Sequence, residues 1–211
     1  MDGTIGLRER KKLKTRQHIA DAAAHLFGEH GFEQVAVADV ARAAEVSEQT
    51  VYNYFSSKHD LVLDRADEIR EQLVRLVAER PDGQSPADSL RDNAHRYAKH
   101  HRTASTAELR GQLPVICAGS PVIRRLVLES RDRTADEMAG AIVDTTAGVH
   151  PAVARAHAAA LVSVFQMVVD HIGHRTLAGV SPELVADELG PAIDAVMDDL
   201  ARHFETMREQ S

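Results

Sequence analysis

The sequence predicts an all-α protein, and three of its features lead to that prediction. Aromatic residues make up only 4% of the 211 residues, and tryptophan is absent. Alanine-rich stretches dominate, which favours helix over strand on intrinsic propensity. Apolar residues recur three and four positions apart along most of the chain, which is the period of an α-helix. We expect about nine helices, divided between a small unit at residues 1–62 and a larger helical unit at 63–211.

The small unit contains three predicted helices. Residues 8–29 give an amphipathic pattern, and residues 37–43 give a second, shorter one. Ser47 has the side chain of an N-cap and should begin a third helix that ends near Phe55. Val51 and Phe55 lie four positions apart, so both can pack against the first helix.

The remaining helices are marked by their first residues. A long helix over residues 58–79 should connect the two units. Beyond it, three Ser-Pro pairs each place a capping hydroxyl before a proline at the first helical position, where the missing N–H costs nothing. His150-Pro151 is a weaker case of the same kind. The helices predicted from these starts cover residues 86–101, 105–112, 121–146, 151–177 and 182–208.

The distribution of charge matters more than its sum. The net charge of -7 argues against nucleic acid, but residues 8–16 carry six basic side chains and only one acidic residue, Glu9. The positive charge is therefore concentrated in one N-terminal basic arm. A solubilising tail is the alternative interpretation of this arm.

Several protein classes are excluded by what the sequence lacks. Cys117 is the only cysteine, so neither an internal disulfide nor a cysteine-built zinc site is expected within one chain. We find no apolar run near the roughly 20 residues that span a bilayer and no apolar signal core, so a soluble cytoplasmic protein without a membrane partner is expected. The chain has no glycine-rich phosphate loop, HExxH, GxSxG or acid/base pair, which predicts no enzyme activity, no catalytic residues and no cofactor.

The stretch from Arg16 to Leu61 resembles the DNA-binding domain of the TetR family of repressors. The match keeps good register over this N-terminal part of the chain, and the bottom-up interpretation agrees, because two short helices on a longer one form a helix-turn-helix. The matching positions are Ile19, Ala22, Ala23, Leu26, Phe27, Gly31, Val40, Ala41, Ala44, Val46, Ser47, Thr50, Tyr52, Phe55, Lys58 and Leu61. Ala36 departs from the family pattern where a capping Thr is common, and Glu45 departs where Gly is common in the turn.

The resemblance and the polarity of the third helix together predict the DNA contacts. Glu48, Gln49 and Thr50 should face base edges, since Gln suits adenine and Glu suits the amino group of cytosine. The phosphate contacts, which position the protein without specifying sequence, are expected from Arg16, Ser47, Tyr52, Tyr54 and Lys58. For Tyr52 a place in the hydrophobic core is an equal alternative.

For the second unit, the resemblance implies dimerisation and the binding of a small-molecule effector. The helices at 151–177 and 182–208 fit the dimer face, although the same residues could close the core of each monomer. Two half-sites one helical turn apart require a two-fold protein. The candidate ligand-binding residues, which equally describe an ordinary core, are Tyr97, His101, Leu109, Leu113, Ile116, Cys117, Leu126, Met138, Phe165 and Met167.

The twelve histidines invite a metal hypothesis that the sequence does not support. His171 and His174 have a spacing that can share a helix face, but no carboxylate or thiolate accompanies them in register, so no metal site is predicted. The leading hypothesis is a dimeric repressor that an effector releases from a palindromic operator. The alternatives are a DNA-binding dimer with no small-molecule switch and an enzyme that uses the helical unit.

Overall fold

The computed structural model describes residues 6–64 and 66–209, and within these residues the chain forms ten α-helices. Residues 1–5, 210 and 211, which belong to the predicted units at 1–62 and 63–211, lie outside the described residues. The helices are α1 Leu7–His30, α2 Val37–Ala43, α3 Glu48–Tyr54, α4 Ala66–Ala78, α5 Pro86–Arg102, α6 Thr106–Arg110, α7 Leu113–Gly119, α8 Pro121–Thr145, α9 Pro151–Leu177 and α10 Pro182–Glu209. The all-α prediction is confirmed.

The helices begin where the sequence supplies caps. The hydroxyls of Ser47, Ser85 and Ser120 each accept a hydrogen bond from a backbone N–H in the first turn of the helix that follows. His150 does the same through Nδ1, which accepts from the N–H of Ala152 at 3.2 Å. These bonds satisfy donors that a helix leaves unpaired at its N-terminus, which is why the predicted starts coincide with the observed ones.

The predicted helix at 58–79 is wrong over its first turns. Residues 57–64 form successive turns, and α4 begins only at Ala66. Ser57 and Asp60 stabilise the first of these turns by two reciprocal hydrogen bonds. The Asp60 carboxylate accepts from the Ser57 N–H at 3.0 Å, and the Ser57 hydroxyl accepts from the Asp60 N–H at 3.3 Å. This reciprocal cap lets the chain change direction while Leu61, only 5% exposed, still enters the core.

Two further differences concern single elements. Helix α7 was not predicted as a separate helix; its first turn contains Pro114, and its residues 114–117 are buried. In α10 the helix continues through Pro191, although an internal proline removes one backbone hydrogen bond. Since α10 packs extensively along α5 and α9, tertiary contacts hold the helix together there.

The buried residues form two clusters that meet at Tyr97. One cluster lies among α4, α5, α8, α9 and α10. The other joins α1, α2 and α3 to residues of the second unit, namely Ile116, Cys117, Ile123, Val127 and Val169. Apolar packing therefore runs across the proposed boundary between residues 62 and 63.

Helix α9 corrects the statement that no segment could span a membrane. By length and composition alone, Pro151–Leu177 passes such a test among the described residues, with a mean hydropathy of 1.6 over its most apolar 18 residues. Half of that window is buried inside the fold, where α9 packs against α7, α8 and α10. These contacts explain its apolar character as that of a core helix.

Candidate nucleic-acid interface and effector region

The segment from α2 to α3 is a helix-turn-helix held by a buried apolar face. Val40 at 0% exposure, Val51 at 1% and Phe55 at 2% point into the cluster shared with α1. The turn between the helices contains Glu45, whose φ of 51° lies in the left-handed region. This confirms the strained turn expected from a non-glycine residue at that position.

The opposite face of α3 is polar and exposed. Glu48, Gln49 and Asn53 are exposed, and Tyr52 is 48% exposed, so its ring is not a core aromatic. Gln49 Nε2 donates to Asn53 Oδ1 at 3.2 Å, which orders two side chains one turn apart. Asn53 was not among the predicted contacts, although its position four residues after Gln49 places it on the same face.

Ser47 and Thr50 have structural roles inside α3. The Ser47 hydroxyl lies 3.1 Å from the Thr50 N–H and 2.8 Å from the Thr50 hydroxyl. Ser47 is therefore the N-cap, and Thr50 is turned toward the cap rather than fully outward. Ala36, with no side-chain acceptor, leaves α2 with half a capping box, in which Asp39 accepts from the Ala36 N–H at 2.9 Å.

Arg16 is a link within the domain. Its Nε and Nη2 atoms each lie 2.6 Å from Asp64 Oδ1, and Nη1 donates to the Tyr54 carbonyl at 2.7 Å. The guanidinium also lies 4.5 Å from the centre of the Phe55 ring. Arg16 thus fastens α1 to the end of α3 and to the turns after it.

Lys58 and Tyr54 also have partners in the fold. Lys58 Nζ donates to the Glu33 carbonyl at 3.3 Å and lies 4.3 Å from the centre of the Phe32 ring. Tyr54 is partly buried and packs against the N-terminal cluster. Of the eight predicted DNA contacts, Glu48, Gln49 and Tyr52 are therefore exposed to solvent, as is the N-cap Ser47.

The basic arm is the first part of α1. Arg8, Arg10, Lys11, Lys12 and Lys14 are exposed on this helix and make no ion pair in the part of the chain that the structure describes. A run of unpaired cations next to the helix-turn-helix can neutralise phosphates without regard to base sequence.

The candidate effector residues lie in the interior of the second unit, with Cys117 at 1% exposure, Met138 at 0% and Phe165 at 5%. Burial raises the pKa of Tyr97 to about 12 and lowers the pKa of His101, whose Nδ1 lies 2.8 Å from the Tyr97 carbonyl. Of the other candidates, Leu109 and Ile116 are buried, and Leu113, Leu126 and Met167 are partly buried. Three open surface pockets of about 650, 400 and 440 Å³ are lined by other residues.

The histidines do not gather into a metal site among the described residues, where no group of three or more potential ligands is found. His171 instead lies 2.7 Å from Glu188 of α10, and His174 Nδ1 lies 2.7 Å from the Asp170 carbonyl. His95 lies 2.8 Å from Asp194. His171 and His174 therefore each have a separate partner in the fold, although their spacing places them on one helix face.

Comparison with known proteins agrees with this geometry. A family described as "Bacterial regulatory proteins, tetR family" matches residues 19–64. The transcriptional regulator TcmR of Streptomyces glaucescens is 33% identical over 85 residues, which are 40% of this chain and 38% of that protein. The regulator AcrR of Shigella flexneri is 40% identical over 48 residues, 23% of this chain and 22% of that protein. The chain thus aligns with well under half the length of these relatives.

The solved structures extend the likeness to the whole fold. NalD of Pseudomonas aeruginosa, the secondary repressor of a multidrug efflux pump, has a TM-score of 0.55 at 21% identity, over 87% of this chain and 97% of that one. SmeT, the repressor of the efflux pump SmeDEF in Stenotrophomonas maltophilia, has a TM-score of 0.54 at 14% identity, over 85% of this chain and 88% of that one. Residues 19–64 therefore match the tetR family of bacterial regulatory proteins, within a chain that has the fold of solved TetR-family regulators.

Proposed function

We propose that the protein is a sequence-specific DNA-binding repressor that acts as a homodimer in the cytoplasm. The observation that carries the proposal is the exposed polar face of α3, formed by Glu48, Gln49, Tyr52 and Asn53 on a rigid buried scaffold. An α-helix with such a face fits the major groove, where Gln49 can pair with adenine and Glu48 can accept from cytosine. The basic start of α1 would supply phosphate contacts beside it.

The predicted DNA contacts fall into two groups, according to whether the side chain is free on the surface or is bonded or packed within the domain. Glu48 and Gln49 are the candidates for base contacts, with Tyr52 at the phosphate backbone. Arg16, Ser47, Thr50, Tyr54 and Lys58 stay candidate contacts whose first role is to position α3, because each packs or bonds within the domain.

Dimerisation is supported by a stripe of small and half-exposed side chains along α9. Ala156 and Ser163 are exposed, and Ala160 and Met167 are partly buried, at the spacing of one helix face. On α10, Val196 is 37% exposed while Leu189, Ile193, Met197 and Phe204 are buried in the monomer's own core. Gly173 of the predicted dimer face serves the monomer, since a Cβ there would lie 2.2 Å from the Pro114 carbonyl oxygen.

Control by a small molecule is the remaining part of the proposal. Besides the turns that lead to α4, the two units are joined by α6, which packs on α1, and by Ser120 at the end of α7. Gly111 lies so near α1 that a Cβ would be 1.8 Å from the Ala24 carbonyl oxygen, and the Ser120 hydroxyl donates to Glu33 at 3.1 Å. An effector that shifts α7 would therefore move α1 directly and change the spacing of the two α3 helices.

The alternative of a DNA-binding dimer without a switch is favoured by one observation, the absence of candidate effector residues from the three surface pockets described above. An enzyme is the weakest alternative, because the buried titratable side chains of the second unit lie apart from every one of these pockets. A reporter assay for operator release separates the first two possibilities.

The direct test selects genomic DNA fragments with the purified protein at one fixed salt concentration. We expect the bound fragments to share a palindrome with half-sites about 34–36 Å apart, one helical turn of DNA. Gln49→Ala should relax the preference at one base pair of each half-site, with a loss of about 1–3 kcal/mol per site. Gln72→Ala, an exposed glutamine on α4, is the matched control and should leave the selection unchanged.

An enriched palindrome that Gln49→Ala does not alter would show that α3 is not the reading element. If no fragment is enriched at any salt concentration, the proposed function itself is wrong.

A further inference from the structure

The exposed face of α3 contains a pair of amide side chains that are bonded to each other. Gln49 and Asn53 lie four positions apart, which is about one helical turn, and both are exposed. Gln49 Nε2 donates to Asn53 Oδ1 at 3.2 Å. This bond favours one orientation of each amide before DNA is bound. We call the two side chains the amide pair.

The backbone beneath the amide pair is held at both ends of α3. At the start of the helix, the Ser47 hydroxyl accepts from the Thr50 N–H at 3.1 Å. At its end, Arg16 Nη1 donates to the Tyr54 carbonyl at 2.7 Å. Val51, which lies between the two amides in the chain, is 1% exposed. Because both ends and the buried side are held, the amide pair is presented to solvent in a defined position.

The hydrogen bond decides which atoms of each amide remain for DNA. An amide carries one acceptor oxygen and a nitrogen with two hydrogens. Gln49 gives one hydrogen to Asn53 and keeps its oxygen and the other hydrogen, which are the two groups that a bidentate contact with adenine needs. The oxygen of Asn53 is turned toward Gln49, and the nitrogen of a planar amide points away from the oxygen. Asn53 therefore offers the DNA groove two hydrogens and no acceptor.

We propose that Asn53 is a second base-reading residue of α3 and that its bond to Gln49 commits it to guanine. The inference rests on the proposed sequence-specific DNA binding and adds a base to what that surface reads. In the major groove, guanine presents two neighbouring acceptors, N7 and O6, which match a nitrogen with two hydrogens. Adenine needs an acceptor and a donor from the same side chain, and cytosine presents only a donor. Neither base fits Asn53 while its oxygen accepts from Gln49.

The guanine belongs to the base pair next to the one that Gln49 reads. Successive base pairs are about 3.4 Å apart along the DNA axis, and the bonded atoms of the amide pair are 3.2 Å apart. The two amides can therefore contact neighbouring base pairs without breaking their own bond. We expect each half-site to contain an adenine and a guanine in adjacent base pairs.

The first experiment changes the hydrogen-bonding chemistry of Asn53 and keeps its size. Asn53→Asp retains an oxygen that can accept from Gln49 and replaces the two hydrogens with a second acceptor, which suits the amino group of cytosine. The variant is tested on a library of the selected operator in which every base pair is varied. The G·C pair should reverse its orientation, so that cytosine is preferred where guanine was, by about fivefold to a hundredfold.

The second experiment removes the partner of Asn53. Gln49→Ala frees the Asn53 oxygen, and a free asparagine pairs with adenine through its oxygen and its nitrogen. Besides relaxing the base pair that Gln49 reads, this variant should shift the preference at the neighbouring base pair from guanine to adenine. A structural role for Asn53 would not change a base preference, because it would affect all sequences alike.

Gln72→Glu, which also exchanges an amide for a carboxylate at an exposed position, is the matched control on α4 and should select the unchanged operator. If Asn53→Asp weakens binding to every sequence equally and guanine stays preferred, Asn53 contacts phosphate or no DNA, and the inference is wrong.

The same library separates this inference from the proposed function. A palindrome that Gln49→Ala alters only at the base pair read by Gln49 retains the proposed function and overturns the role of the amide pair. If the unchanged protein selects no palindrome, both fail together.

Discussion

At the scale of single residues, the buried polar side chains are the ones whose hydrogen-bond partners affect the stability of the fold most. Buried polar side chains such as Thr134, whose hydroxyl donates to the Ser130 carbonyl at 2.9 Å, have a partner inside the fold. His157 on α9 differs from these, because it is 4% exposed and neither ring nitrogen has a hydrogen-bond partner among the described residues. Its ring centre lies 5.1 Å from that of Phe204 on α10.

His157 should make the stability of the protein depend on pH. Burial, together with the nearby charges of His203 and Arg80, lowers the pKa of His157 from 6.5 to about 4. The unfolded chain takes up a proton below about pH 6.5, whereas the folded protein does so only near pH 4, so stability falls as the pH is lowered through this range. The loss should approach about 3 kcal/mol.

His157→Phe tests this directly. The variant should be more stable by about 1 kcal/mol at pH 7, because the buried ring nitrogens are gone, and the difference should grow toward pH 4. Urea denaturation at several pH values measures it, with the exposed His25→Phe as the control that keeps the original pH dependence. A parallel pH profile for His157→Phe and the unchanged protein would contradict the assignment.

At the scale of elements, local sequence signals were sufficient wherever a cap or a proline marked the boundary. The starts of α5, α8, α9 and α10 followed from such signals, and so did the start of α3, whereas α2 was predicted from its amphipathic pattern alone. The turns at 57–64 could not be predicted by helical periodicity, because Leu61 and Leu73 fit one continuous helix equally well. Only the reciprocal hydrogen bonds of Ser57 and Asp60 decide between them.

The sites were less predictable than the helices, for a physical reason. A residue type shows which contacts a side chain can make, but its partners depend on distant parts of the chain. Arg16 meets Asp64 and the Tyr54 carbonyl 38 residues away. The exposure of Gln49, by contrast, could be predicted from the helical period alone.

The contact of α6 and α7 with α1 should be sensitive to a single methyl group. Gly111→Ala places a Cβ against the backbone of Ala24, which cannot rotate away as a side chain could. We expect a loss of stability of at least about 1–3 kcal/mol and an altered operator affinity, because α1 carries the helix-turn-helix.

Gly140→Ala on α8 is the matched control, since its Cβ meets nothing within 4 Å. It should stabilise the helix by roughly 0.5–1 kcal/mol without affecting DNA binding. Thermal unfolding and anisotropy on the operator measure both effects. Equal behaviour of the two variants would mean that the units are not coupled through Gly111.

At the scale of the whole molecule, two opposite charges have separate places. The chain is acidic overall, with a net charge of -7, while the exposed start of α1 is basic. The acidic body repels DNA everywhere except where the basic arm and α3 are presented together. A dimer would present two copies of the surface formed by the basic arm and α3. Operator binding should therefore depend on the oligomeric state.

The dimer prediction can be tested at the stripe on α9. Ser163→Arg introduces a long charged side chain among small residues, and Val196→Glu introduces a charge on the half-exposed part of α10. Both positions are accessible in the monomer, so each variant should fold with little change in monomer stability while losing dimer affinity. Sedimentation velocity over a range of protein concentrations measures the dissociation.

The same variants link assembly to function. Leu128→Glu, at a side chain 45% exposed on α8, is the matched control for a charge placed at an exposed apolar position, and it should stay dimeric. A monomeric Ser163→Arg protein should bind a single half-site weakly and lose the full operator, because one basic arm and one α3 cannot supply the contacts of two. A monomer that held the palindrome as tightly as the dimer would place the second set of DNA contacts within one chain, which the single exposed face of α3 does not allow.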